Sequence, residues 1–238
     1  MKARNTIFSI DLDGGKPGIG RCRVFNGKHP EATRILDLDI HRSPRLKPRL
    51  ETKNFQFVHQ GKQISVPVTF DKSLIYFYKT MPFFDLDVYM QAPLSESAMA
   101  SIKRGLEPEL RGLSEQEQVG LILAFVQKAF AYKTDQQQFG GERYLFAEET
   151  LYYPYSDCED RSVAFCTTGK RLTDRDVVDM IFPGHAATAV HFSRKVEGDR
   201  ITYNGKTWTI CDPTYINADI GMLLPDARNK QARVIAAK

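Results

Sequence analysis

Cysteine is scarce in this chain: four residues, at 22, 158, 166 and 211, among 238. None forms a C-x-x-C pair, so the sequence encodes neither a disulfide scaffold nor a four-thiolate zinc site. Long apolar runs are also missing. The longest, Val119 to Phe130, is interrupted by Gly120, Gln127 and Lys128 and is too short and too polar to span a bilayer. Lys2 and Arg4 are not followed by the apolar stretch of a secretory signal. The expectation is a cytoplasmic location by default, with export left open if the chain is trimmed ahead of Met1. A dominant charge sign is lacking as well: 33 Lys+Arg oppose 29 Asp+Glu, which argues against a dedicated nucleic-acid or polyanion binder. No H-E-x-x-H or G-x-S-x-G string occurs. Gly205-Lys206-Thr207 lacks the earlier glycine of a phosphate-binding loop, and the glycines from Gly14 to Gly20 lack dinucleotide spacing and read as a flexible turn.

What is present is an ordinary globular composition, 42% hydrophobic and 26% charged, which is enough to bury a core without disulfides. The fold class reads as α+β. Residues 1–93 read as a β-rich N-terminal domain of unassigned role, with apolar or alternating runs at Thr6–Ile10, Phe55–Val58, Ile64–Val68 and Ile75–Tyr78 between Gly, Asn and Pro punctuation. The basic stretch from His41 to Lys53 reads as a solvated loop. Residues 94–238 read as a second domain. There Ser114 and Glu117 form a capping box ahead of apolar residues at helical spacing, predicting a buried helix over about 115–131.

Ser156 with Glu159 is a second capping box, which predicts a short helix beginning at Cys158, with Gly169 suited to its C-terminal cap. Val177 to Phe182 and Ala186 to Phe192 read as strands around a Pro183-Gly184 turn. Asn204-Gly205 signals a hairpin, so an antiparallel sheet packed on helices follows.

Cys158 stands out by position. A thiol in the first turn of a helix feels the positive end of the helix dipole, which favours the nucleophilic thiolate. Asp157, Glu159 and Asp160 oppose that effect unless Arg161 or another cation offsets them. The bland alternative is a small buried hydrophobe. A catalytic Cys158 needs a base, and His185, at the opening of a strand, is the candidate. His191 lies six residues further along and is too distant to share the thiol. Asp212 closes the next strand, where the hairpin returns its carboxylate to orient the His185 imidazole. Trp208, Cys166 and Cys211 read as core.

The segments Ser156-Asp157-Cys158-Glu159-Asp160, Pro183-Gly184-His185-Ala186 and Asp212-Pro213-Thr214-Tyr215 together resemble the three signature segments of the transglutaminase-like superfamily, relatives of papain-type thiol enzymes. The resemblance covers about residues 114–225. It implies a papain/transglutaminase-like core, a helix start carrying cysteine packed on an antiparallel sheet. It also implies a cysteine protease, amidase or acyltransferase that takes a peptide or protein substrate. Cys158 would be nucleophile, His185 base and then acid, and Asp212 orienter, with no cofactor or metal. The Cys158 backbone N–H would stabilise the oxyanion, joined by the side-chain amide of Gln138 or of its neighbours Gln136 and Gln137. Two rivals stand beside this expectation: a silent interaction module that keeps the fold, and a metal site using Cys158, His185 and Asp212.

Overall fold

The computed structural model describes residues 2–3, 6–10, 22–25 and 45–236. Strands β1 (Lys2–Ala3), β2 (Thr6–Ile10) and β3 (Cys22–Phe25) form a small antiparallel sheet, with the expected strand at Thr6–Ile10 in its centre. The Gly14–Gly20 turn and residues 41–44 of the basic stretch lie outside the described residues.

Strands β4 (Leu50–His59) and β5 (Lys62–Asp71) form a two-stranded hairpin. Its period-two alternation turns Phe55, Phe57, Ile64, Val66, Val68 and Phe70 to one buried face. Asp71 then ends β5 and caps helix α1 (Lys72–Tyr78), its Oδ1 accepting from the Ser73 N–H at 2.8 Å. The strand expected at Ile75–Tyr78 is therefore a helix. An unbroken apolar run of four does not distinguish the two periods, and the cap decides between them. Helices α2 (Leu86–Gln91), α3 (Glu96–Leu110) and α4 (Glu115–Ala129) follow. The Ser114–Glu117 capping box forms as read, and α4 buries Val119 and Leu121 through Gln127. Buried residues of the hairpin, α2, α3 and α4 belong to one hydrophobic cluster, so a continuous core runs across residue 93.

Beyond α4 come the short pieces β6 (Ala131–Tyr132), α5 (Asp135–Gln138), α6 (Ala147–Tyr152) and β7 (Tyr155–Ser156), then the long helix α7 (Cys158–Thr173). Helix α7 begins at Cys158 as the sequence predicts, but two details differ. The N-cap is Asp157, whose N–H donates to Asp160 Oδ2 at 3.3 Å, one residue later than the Ser156–Glu159 box. Gly169 is interior, and the helix ends at Asp174 in the left-handed region, φ 56°.

Strands β8 (Val177–Phe182), β9 (His185–Val190), β10 (Arg200–Tyr203), β11 (Lys206–Cys211) and β12 (Arg233–Ala236) make an antiparallel sheet of order β10-β11-β9-β8-β12. Val177, Val190 and Cys211 join Val163, Phe165 and Cys166 of α7 in the main core. Val178, Met180, Ala187, Ala189 and Ile210 face a second cluster with Leu223 and Ala227. The fold class is α+β as expected. No helix among the described residues is long and apolar enough to cross a membrane.

Candidate active site

The sheet delivers His185 and Asp212 to one corner. Gly184, at φ 78°, closes the two-residue turn that lets Phe182 pair with His185. His185 therefore opens β9 with its backbone fixed. β11 ends at Cys211 opposite Thr188, which puts Asp212 just beyond the sheet. The chain after Asp212 is held by a close backbone approach. Gly198 (φ 117°) and Gly221 (φ 84°) touch so tightly that a Cβ on Gly198 would meet Gly221 O at 2.5 Å. There the Gly221 N–H donates to Ile210 O at 2.7 Å, and the Asp199 N–H donates to Gly221 O at 2.7 Å.

Asp212 is fully buried and fully engaged. Its Oδ1 accepts from the backbone N–H groups of Thr214 and Tyr215, each at 3.0 Å. Its Oδ2 accepts from His185 Nε2 at 2.7 Å and from the Leu224 N–H at 3.2 Å. With three backbone N–H donors already on it, the Asp212 carboxyl is an acceptor, so the Nε2 proton of His185 points to it. Nδ1 makes no hydrogen bond among the described residues.

Cys158 reaches the same corner from the helix side. Ala186 pairs with Ile181 of β8 but lies beyond the end of β11, and its N–H lies near the Cys158 sulfur. The thiol itself turns elsewhere: Cys158 Sγ donates to Glu159 Oε2 at 2.8 Å, and no hydrogen bond joins it to His185 among the described residues. Burial, then the charge and hydrogen bond of Glu159, then Asp157, push the Cys158 thiol well above its ordinary range, with the Ala186 N–H pulling the other way. Burial and the neighbouring carboxylate both act against the thiolate-favouring environment expected from the helix start.

More acid surrounds the helix start. Carboxylate oxygens of Asp135, Asp157 and Asp160 lie within 4.8 Å of one another. Burial, followed by neighbouring carboxylates, pushes Asp157 up to about 7. Burial likewise moves Asp135 up to about 6. Asp160 is raised strongly, first by burial and then by Asp157 and Asp135. Two of these groups hold backbone: Asp135 Oδ2 accepts from the Arg143 N–H at 2.7 Å, and Asp160 Oδ1 from the Leu145 N–H at 2.9 Å. Asp135 fastens the 139–146 segment to α5, and Asp160 fastens it to α7. Among the described residues it is this trio, and not Cys158, His185 and Asp212, whose donor atoms converge as a metal would need.

The three oxyanion candidates separate on α5. Gln136 is exposed, and Gln137 Oε1 accepts from the Thr134 N–H at 3.3 Å. Gln138 alone has both amide atoms enclosed and without a hydrogen-bond partner among the described residues. Trp208 is core, its Nε1 donating to Tyr203 O at 3.1 Å, and Cys166 and Cys211 are buried. His191 is engaged with Thr207 O, away from the corner.

Four residues at or near the site were not singled out from sequence for the parts they play. Glu159 accepts the thiol's hydrogen bond. Arg161, buried one turn into α7, donates to Phe130 O at 2.6 Å and to Ser156 Oγ at 3.3 Å, anchoring the helix start. Asp179, fully buried on β8, is pushed up to about 8 by desolvation. Gln127 is buried on α4. Its only sequence signal is a polar side chain inside an apolar helical stripe. Comparison with protein-family models, with curated proteins and with solved structures finds no match to this chain.

Proposed function

We propose that the protein is a thiol-dependent acyl-transfer enzyme of transglutaminase-like, papain-type architecture that hydrolyses a peptide or amide bond. The observation that carries this reading is the buried 2.7 Å His185–Asp212 pair, with the Cys158 sulfur against the N–H of the residue next to His185. A lone buried histidine needs one partner for its ring N–H. Here that partner is a carboxylate fixed by three backbone donors, the kind of support that holds an imidazole in one tautomer.

The chemistry then follows from the groups present. Rotation of the Cys158 side chain away from Glu159 presents its S–H to His185 Nδ1. The imidazole takes the proton, and the thiolate sulfur bonds to the substrate carbonyl carbon, moving the C=O electron pair onto oxygen. Helix α7 leaves the Cys158 N–H without an intrahelical partner, and this donor with the Gln138 amide accommodates the oxyanion. His185 returns the proton to the leaving nitrogen as the C–N bond breaks. A water, deprotonated by the same imidazole, then cleaves the thioester to give the acid and restores the thiol.

The thiol's contact with Glu159 favours a second reading, a binding module that retains the fold with a quiescent cysteine. Limited iodoacetamide labelling near neutral pH, followed by intact mass, decides between them. The enzyme reading expects labelling at Cys158 that slows on His185→Ala and quickens on Glu159→Gln. Slow labelling indifferent to both changes would overturn it in favour of the module.

A further inference from the structure

We infer that Gln127 is a positioning residue that acts on the active site through Asp212, an inference that rests on the triad reading. Gln127 lies near the end of α4 and is 2% exposed, the one polar residue among the buried side chains of that helix. A primary amide in such a place is unfavourable unless bonded, and its bonds all go to one loop. Gln127 Nε2 donates to the backbone carbonyls of Asp212 at 2.9 Å, Tyr215 at 3.0 Å and Ala218 at 3.1 Å.

These three acceptors span the segment that leaves β11. It has no helix or strand of its own from Asp212 to Ala218 and contains Asn217 in the left-handed region, φ 65°. The same segment turns back its Thr214 and Tyr215 N–H groups to hold the Asp212 carboxylate. Two sets of bonds therefore meet in one loop: the loop's donors fix the carboxylate, and Gln127 fixes the loop's carbonyls. The loop has little else to lean on there, since Asn217, Ala218, Asp219 and Ile220 border an open cavity of about 570 Å³ that Gln127 and its α4 neighbours Leu123, Ala124 and Lys128 also line. A side chain that merely filled space at 127 would leave the Asp212 and Ala218 carbonyls without donors, Tyr215 O keeping only the Ala218 N–H, and the loop free to shift toward that cavity.

Gln127 also ties the two halves of the site to one helix end. Its own carbonyl accepts from Arg161 Nη1 at 3.4 Å, and Arg161 sits three residues beyond Cys158. The C-terminal turn of α4 is thus a common reference for the nucleophile's helix and for the orienter's loop. A shift of about 1 Å between such groups is enough to cost about a hundredfold in rate.

The test uses the full chain with Gln127→Met, equal in length but without donors, and Gln127→Asn, which keeps the amide one methylene shorter. Two readouts are taken: the low-field Nε2–H proton resonance of His185, and the His185-dependent part of Cys158 alkylation. In folded Gln127→Met the resonance is expected to vanish into exchange with water and the His185-dependent alkylation to fall roughly ten- to hundredfold, the range for outer supporting groups. Gln127→Asn should give an intermediate result, and it carries the test if the methionine variant does not fold. A folded variant with an unchanged resonance overturns the positioning role. Failure of the triad reading is distinguishable: His185→Ala would then leave alkylation unchanged, while the resonance would still respond to Gln127.

Discussion

The two ends of the candidate triad are built in opposite ways. At the sheet end, Asp212 meets four donors, His185 among them, so each polar atom of the carboxylate has a partner. At the helix end, acceptors outnumber donors. Glu159 holds the thiol, three aspartates crowd within 4.8 Å, and Asp157 Oδ1 and the Gln138 amide have no partner among the described residues. A saturated end is rigid and sets geometry. An acceptor-rich end keeps hydrogen-bonding capacity that its own residues do not meet.

Breaking this contrast at its chemical centre gives the largest effect. Cys158→Ser should abolish turnover while leaving the melting temperature nearly unchanged, because the side chain's volume and its bond to Glu159 are retained but an alcohol resists ionisation. Assay against thiol-ester or amide substrates beside a thermal melt checks both halves. Next is Asp212→Ala, which strands four donors in a fully buried site and should destabilise the fold by about 3–5 kcal/mol, read from chemical denaturation.

Glu159→Gln sharpens the contrast from the other side. The carboxylate that pushes the thiol up is removed, so thiolate forms at lower pH and labelling near neutral pH should be about tenfold faster. A pH profile of iodoacetamide labelling measures it.

The smallest effect concerns stability against pH. Asp157 and Asp135 are raised to about 7 and about 6, above their values in an unfolded chain. Between about pH 4 and pH 7 the folded chain therefore binds more protons than the unfolded one, and stability declines as pH rises through that window. Asp157→Asn should flatten the decline and stabilise the protein at pH 8 by on the order of 1 kcal/mol, about 2–4 °C in melting temperature.

Local signals in the sequence were dependable where they were redundant. The Ser114–Glu117 box, the turn at Pro183-Gly184 and the Asn204-Gly205 hairpin each combined a turn or cap residue with the right period, and each forms; the helix also starts at Cys158, but on the Asp157 cap instead of Ser156. Ile75–Tyr78 carried a run without a period, and the Asp71 cap made it helical. The His185–Asp212 pairing was legible because the Asn204-Gly205 hairpin returns the strand that Asp212 closes toward the start of the His185 strand. The direction of the Cys158 proton was not, since Glu159 and His185 compete for one thiol and the choice depends on side-chain rotation in three dimensions.

By itself, then, the sequence determined the element types around the site and the chain positions of Cys158, His185 and Asp212 at their ends, because caps, turns and periodicity act over a few residues. Only the tertiary structure decided what surrounds them. It placed Gln127, 85 residues before Asp212, under the Asp212 loop, brought Asp135 against Asp157 and Asp160, and buried Arg161 beneath the helix start. Desolvation and long-range hydrogen bonding belong to the packed chain, and no local pattern records which distant polar group will be shut in beside which.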